Sequence, residues 1–151
     1  MSKPDYDDAA VEERWCAECR DAVADYLKRQ KVDHGKIGEW PAWHVAPYVS
    51  IWAIAGKKSP GWVGWWAISG DLPTDYISAE KTKHPREALR AIGQRWLEVA
   101  GYMKSGKHHP TILVGNSDPK NQTELTPLLE KRANLLLKWS NDDSCWGPEY
   151  D

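Results

Sequence analysis

Two aspartates, Asp71 and Asp75, stand four residues apart in the run GDLPTDY, which covers residues 70–76 and ends in Tyr76. Two carboxylates in different environments around one space can act as general acid and general base. Aspartates in such turns more commonly accept hydrogen bonds from nearby backbone N–H groups. We therefore favour a turn-shaping role and keep acid–base chemistry, with His44 as partner, as the alternative.

A cationic side chain on an apolar helix face is the second feature that suggests chemistry. Arg132 lies between pairs of leucines, and a guanidinium there must pair or reach water, because an unpaired buried charge is costly. Asp71 and Asp75 are the expected partners, and an arginine that only snorkels to water is the structural alternative. The sequence thus predicts a binding site at the turn after the second strand, formed by Trp65, Asp71, Asp75, Tyr76 and Arg132.

Tryptophan dominates the aromatic content, with ten residues and no phenylalanine. Six of the ten lie between Trp40 and Trp66. One indole can bury up to about 250 Å², so we expect these rings to fill the core first and to bind ligands second.

The pair Cys16 and Cys19 imitates a thioredoxin-like redox motif. In that fold the pair opens a helix, whose dipole lowers the first thiol's pKa, whereas here it lies about two turns inside a predicted helix. We expect buried structural thiols. A redox pair and a metal site completed by Cys145 and a histidine are the alternatives, but no second paired spacing supports zinc. We predict no metal and no cofactor.

The basic segment 81–110 raises nucleic-acid binding as a further alternative. It carries seven Lys or Arg and two Asp or Glu, and Lys83, Arg86 and Arg90 would form its basic face. The whole chain has a formal charge of −2, which does not favour a nucleic-acid partner. We expect a solvated helix face here, and a solvated loop at His108-His109.

The N-terminal residues, the hydropathy and the number of cysteines indicate the cellular compartment of the protein. The first eight residues contain no apolar leader, and no apolar run approaches membrane-spanning length. Three cysteines are typical of a reducing compartment. We expect a soluble cytoplasmic protein with no membrane partner.

Three amphipathic helices are predicted from 3.6-residue periodicity. The first covers residues 9–31 and the second begins at Pro85, with Gly106 able to end it. The third begins at Thr126-Pro127, a cap residue followed by proline.

Short strands fill the middle of the chain. We predict strands at 45–55 and 62–69, a third at 75–81 and a fourth at 111–114, with a loop over 115–122. Pro47 should mark an irregular start of the first strand. Gly64 should let a cross-strand indole lie against the backbone.

Consecutive strands joined by tight turns favour antiparallel pairing. The predicted class is α+β, a small antiparallel sheet of about three strands with three helices, in the order α-β-β-(β)-α-(β)-α. We predict a disordered lead at 1–8, one domain at 9–141 and an acidic tail at 142–151.

The chain resembles a family of uncharacterised bacterial proteins of about this length, classed as a domain of unknown function. Four runs carry the resemblance: Trp15-Cys16, the block from Ser59 to Tyr76, HPREA at 84–88, and LEKRA at 129–133 with Trp139. It implies a stand-alone bacterial domain and brings no activity or site residue.

The favoured function is a non-enzymatic domain that binds a protein partner or small ligand near the predicted turn. A hydrolytic enzyme that uses Asp71 or Asp75 with His44 comes second, and nucleic-acid binding third.

Overall fold

The computed structural model describes residues 5–57, 62–104 and 119–147, with only the backbone described for 119–125. Within these ranges, three helices and a four-stranded antiparallel sheet in the expected order confirm the α+β class. The elements are α1 (Ala9–Arg29), β1 (Trp43–Val45), β2 (Val49–Ala55), β3 (Val63–Gly70), β4 (Leu72–Ser78), α2 (Pro85–Lys104), α3 (Pro119–Asn141) and a short 3-10 helix (Asp143–Cys145).

The chain divides into two compact units. The first ends at Pro85 and the second begins at Arg86. The first unit contains α1 and the sheet, and the second contains α3, the 3-10 helix and nearly all of α2. The predicted domain boundaries at 9 and 141 stay a prediction.

Helix α1 begins and ends with local signals. The Asp8 side chain accepts hydrogen bonds from the N–H groups of Ala10 and Val11, which caps the N terminus. Lys31 has a φ of 57°, so the chain leaves helical geometry before the predicted end at residue 31. A buried stripe of Cys16, Cys19, Val23 and Leu27 faces the core.

The sheet has the order β1-β2-β3-β4. The predicted strand 45–55 is in fact two paired strands, because the chain turns at Ala46–Tyr48, where Pro47 has no N–H to donate. The predicted third strand starts three residues too late and ends three too late. The chain turns within Gly70 and Asp71, and Gly70 already pairs with Leu72, so β4 begins at Leu72.

Cross-strand pairs define two faces of this sheet. Ser50 pairs with Ser69 and Trp52 pairs with Ala67 on the face that packs against α1. Ile51 pairs with Ile68 on the opposite face, and both side chains are fully buried. Both faces of β2 are therefore buried, as its apolar sequence predicts.

The start of β3 contains a register shift. Ile54 pairs with Trp65, but Ala55 pairs with Val63, which leaves Gly64 as the extra residue. A Cβ on Gly64 would lie 2.8 Å from the Gly56 Cα. The close neighbour on that side is therefore backbone, and the expectation of an indole against Gly64 stays a prediction.

In the second unit, α2 and α3 approach closely at Gly93. A Cβ there would lie 3.1 Å from the Leu137 side chain and 3.2 Å from the Ala133 carbonyl oxygen. Helix α3 begins seven residues before the predicted start and includes Pro127, since a helix can continue through a proline at the loss of one hydrogen bond. Residues 119–122 of the predicted loop are therefore helical, and the predicted strand 111–114 lies outside the described residues.

Candidate functional site

Trp65 and Tyr76, two of the predicted site residues, lie together on the α1 face of the sheet. Their ring centroids are 5.7 Å apart in an edge-to-face arrangement, and Tyr26 of α1 packs 6.0 Å from Tyr76. Trp65 and Tyr76 are only partly buried. This aromatic group closes one side of the α1–sheet core and leaves the edge of Trp65 accessible.

The two aspartates are separated from these rings. Asp71 is exposed in the β3–β4 turn, where its N–H donates to the Tyr48 carbonyl at 2.9 Å. Asp75 is buried and pairs with Ile68, so its side chain lies on the sheet face opposite Tyr76. The Asp75 carboxylate accepts from the Tyr76 N–H at 2.8 Å. That bond agrees with a role in shaping the local backbone.

Arg132 is half-buried on α3, within the second unit. Its pairing with Asp71 or Asp75 of the first unit stays a prediction. The structure therefore brings together Trp65 and Tyr76, and it does not join either aspartate to them.

His44, the expected partner for acid–base chemistry, lies on β1 between two indoles. Its ring centroid is 6.2 Å from that of Trp15 and 5.4 Å from that of Trp40. Its Nε2 lies 3.6 Å from the Glu12 carboxylate. His44 pairs with Ser50, which puts it on the α1 face, whereas Asp75 lies on the other.

The thiols of Cys16 and Cys19 are buried in the α1–sheet core, and that of Cys19 lies beside Ser50 and Ser69. Burial, together with the neighbouring thiol and Glu12, raises the pKa of Cys16 to about 12. Burial also raises the pKa of Cys19. Neither thiol has the low pKa of a redox nucleophile. No group of three potential metal ligands occurs among the described residues.

Thiol reactivity measures this burial directly. We expect Cys16 and Cys19 to resist modification by 5,5′-dithiobis-(2-nitrobenzoate) at pH 8, with Cys145, which is half-buried, reacting first. The raised pKa keeps Cys16 protonated well above pH 9 in the folded chain, whereas the unfolded thiol ionises there. Three thiols should react in guanidinium chloride. Rapid reaction of three in the native protein would contradict the buried arrangement.

Two of the three basic residues of the nucleic-acid alternative cap α3. Arg86 donates to the Ser140 carbonyl at 2.6 Å and to the Asp143 carboxylate at 2.6 Å. Arg90 donates to the same carbonyl at 3.2 Å. Both guanidinium groups therefore donate hydrogen bonds at the C terminus of α3, where positive charge is favourable.

Trp66 in β3 and Trp62, which directly precedes β3, differ sharply in solvent exposure. Trp66 is sealed, with 3% of its surface exposed, and its Nε1 donates to the Thr82 carbonyl. Trp62 is 76% exposed, and the adjacent Val63 is 40% exposed. We call Trp62 and Val63 the apolar ridge.

A cavity of about 520 Å³ is lined in part by the apolar ridge. Two lysines and one aspartate supply its charge, and Lys57 and Asp33 form an ion pair of 3.0 Å. We call it the basic cavity; its lining is Asp33, Gly56, Lys57, Trp62, Val63, Gly64, Trp65 and Lys83. Its size falls within the range of small-molecule sites, about 300–1,000 Å³.

A second cavity of about 490 Å³ is also lined by Trp62 and Val63. Small apolar side chains of β2 form its floor, and an ion pair of 3.2 Å between Lys36 and Glu39 lies at its rim. We call it the apolar cavity; its lining is Lys36, Gly38, Glu39, Ala53, Ala55, Trp62 and Val63.

Of the predicted site residues, only Trp65 lines one of these two cavities. Trp62, Lys57 and Lys83 were missed as site residues. A signal was present at Trp62, since a large ring directly after a polar turn has no strand neighbour to bury it. The lysines carry no such signal, because they are 26 residues apart and line one cavity only after β2, β3 and β4 have paired.

The chain belongs to the family described as a domain of unknown function, DUF4826, whose model matches residues 9–146. The resemblance to an uncharacterised family is therefore confirmed. No curated protein matches the chain, and no solved structure matches it.

Within the described ranges, none of the helices is both long and apolar enough to span a bilayer.

Proposed function

We propose that this protein is a non-enzymatic binding domain whose first unit takes a small ligand in the basic cavity, against Trp62. The exposure of Trp62 carries the proposal. A single exposed apolar residue is ordinary on a protein surface, but this indole borders two cavities and stands beside a second exposed apolar side chain.

The size of the apolar ridge favours a small ligand over a protein partner. A stable protein interface buries about 800 Å² on each side. Two side chains provide only a fraction of that area, since even a full indole contributes at most about 250 Å². A cavity of about 520 Å³ is large enough to hold a small ligand beside the Trp62 ring.

The basic cavity offers several kinds of contact to such a ligand. The indoles of Trp62 and Trp65 offer flat apolar surface, and Lys57 and Lys83 offer charge. Gly64 lines the same cavity and adds no side chain to it. Apolar surface with a few polar groups is the usual composition of a ligand site.

The alternative functions have weaker support. The hydrolytic proposal needs His44 and an aspartate at one point, whereas His44 and Asp75 lie on opposite faces of the sheet. The nucleic-acid proposal depends on Arg86 and Arg90, which already donate to the end of α3. A cytoplasmic location remains part of the proposal, supported by three free cysteines.

Comparing two exposed tryptophans tests the proposed site. A thermal-shift screen of metabolites would first identify ligands that stabilise the protein. We expect Trp62→Ala to weaken binding of such a ligand about 30-fold or more, since losing an aromatic anchor costs about 2 kcal/mol. Titration followed by tryptophan fluorescence and calorimetry measures the dissociation constants.

Trp40→Ala is the matched control, because Trp40 is 49% exposed and lines neither cavity. It should leave ligand affinity within about twofold. Ligands that bind both variants as they bind the parent protein would refute the basic cavity as the site, and a screen without ligands would leave a protein partner as the better proposal.

A further inference from the structure

We infer that the ligand of the basic cavity is a neutral carbohydrate, with one face of its sugar ring on the Trp62 indole and its hydroxyl groups on the ion pair of Asp33 and Lys57. This inference rests on the proposed function and names the ligand class for the same site. Its basis is that a mostly exposed indole and a mostly exposed ion pair line one cavity. A sugar combines an apolar ring face with hydroxyl groups and so matches both features.

The Trp62 indole is the apolar half of this site. Since 76% of the residue is exposed, a flat aromatic surface is open to solvent. The C–H groups on one face of a pyranose ring carry small positive partial charges, and the face of an aromatic ring is negative. A sugar ring that lies on Trp62 gains this attraction and removes apolar surface of the indole from water.

The ion pair is the polar half of the site. Its 3.0 Å contact joins the Lys57 Nζ to the Asp33 Oδ1, which uses one of three ammonium donors and one of two carboxylate oxygens. Neighbouring hydroxyl groups of a sugar can donate to the carboxylate and accept from the ammonium group, and hydrogen bonds to charged groups are the stronger kind. Such recognition uses both members of the pair and needs no excess of either charge.

The exposure of the ion pair favours a sugar over a purely apolar ligand. The Lys57 and Asp33 side chains are 66% and 73% exposed, so water hydrates them in the absence of a ligand. An apolar ligand that covered them would remove this water without replacing its hydrogen bonds, which is costly. The hydroxyl groups of a sugar replace those hydrogen bonds.

Backbone hydrogen bonds hold the walls of the site before any ligand binds. The Gly35 N–H donates to the Ala55 carbonyl at 2.8 Å, which fixes the segment after Asp33 at the end of β2. The Gly56 N–H donates to the Trp62 carbonyl at 3.1 Å. A site whose groups are already in place loses less entropy on binding.

Matched compounds test the two halves separately. Methyl glycosides of glucose, galactose, mannose and N-acetylglucosamine carry a ring face and neighbouring hydroxyl groups. Sorbitol has the hydroxyl groups without a ring, and tetrahydropyran-2-methanol has a ring with one hydroxyl group. We expect one or more glycosides to bind about tenfold more tightly than either of these, which corresponds to one hydrogen bond to a charged group. Titration followed by the indole N–H signals in NMR spectra measures the affinities.

Variants locate the bound glycoside. Trp62→Ala should weaken its binding about tenfold or more, whereas Trp62→Tyr keeps an aromatic face and should stay within about threefold of the parent protein. Asp33→Ala should weaken binding about tenfold. Glu39→Ala is the matched control, because Glu39 is a mostly exposed carboxylate that pairs with Lys36 in the lining of the apolar cavity; it should change the affinity less than about twofold. Thermal melting followed by circular dichroism checks that each variant is folded.

Several outcomes would overturn the inference. Failure of all the glycosides would refute the carbohydrate class, and the proposed site would still stand if screened ligands depend on Trp62. Equally tight binding of tetrahydropyran-2-methanol, or tighter and salt-sensitive binding of glucose 6-phosphate, would refute a neutral sugar. Loss of binding in Glu39→Ala rather than Asp33→Ala would refute the choice of cavity. Glycoside binding that is unchanged in Trp62→Ala would refute both the inference and the proposed site.

Discussion

Replacing Trp52 by alanine is expected to lower the free energy of unfolding by about 4 kcal/mol, because deletion of a buried indole removes transfer energy and leaves a cavity. Trp52 is fully buried in the core between α1 and the sheet. Its Nε1 donates to the Ser50 hydroxyl at 2.8 Å, and that hydroxyl donates to the Ser69 carbonyl. Alanine therefore removes packing and one member of a buried polar chain.

Urea unfolding followed by circular dichroism measures this effect. Trp52→Phe is the informative control, since it keeps most of the ring and removes the donor. We expect it to cost about 1–2 kcal/mol, the range for a neutral hydrogen bond and a small loss of volume. With total stabilities of about 5–15 kcal/mol typical of proteins, the alanine variant should lose a large share of its stability. A loss below 1 kcal/mol would contradict the burial of this ring.

Gly70→Ala is expected to cost about 2–3 kcal/mol, from a backbone conformation that side chains rarely adopt and from a steric clash. Gly70 has a φ of 144°. A Cβ would lie 2.5 Å from the Tyr48 carbonyl oxygen and 3.0 Å from the Val49 Cα. These neighbours are backbone atoms of the β1–β2 turn and β2, so they cannot rotate away.

Gly56→Ala in the same unit provides the comparison. The nearest atom to a Cβ there is the Gly64 Cα at 3.8 Å, which is an ordinary contact. We expect a change within about 1 kcal/mol, because only the flexibility of the unfolded chain is altered. Urea unfolding of both variants gives the difference. Equal stability of the two would show that the Gly70 turn relaxes to accept a side chain.

These large stability effects lie away from the proposed ligand site. Trp52 is buried in the core and Gly70 lies against neighbouring backbone, whereas Trp62 is mostly exposed to solvent. Loss of the Trp62 ring should therefore change binding far more than folding. The separation allows ligand affinity and stability to be measured as independent properties of the first unit.

The helices were predictable because their signals are local. Asp8 before α1 and Pro85 at the start of α2 mark two N termini in the sequence itself. The start of α3 was not predictable from Thr126-Pro127, since the same pair also fits inside a longer helix. The split of the first strand depended on the pairing of Val45 with Val49, which no local pattern specifies.

The predicted site was only partly recovered, for a reason that lies in strand geometry. Adjacent residues of a strand point to opposite faces, so Asp75 and Tyr76 are neighbours in sequence and are separated by the sheet. Trp65 lines a cavity beside the register shift that Gly64 introduces at the start of β3. Strict alternation along β3 would put Val63 and Trp65 on one face, and the extra residue separates them.

The sequence by itself determined the α+β class, the apolar helix stripes and the use of indoles as core material, because periodicity and side-chain area are properties of a single chain segment. The tertiary structure decided which tryptophan is exposed to solvent and which charged side chains lie near it. Lys57, Trp62 and Lys83 meet at one cavity through the approach of Gly56 to Gly64, and such an approach between separate segments is a product of packing.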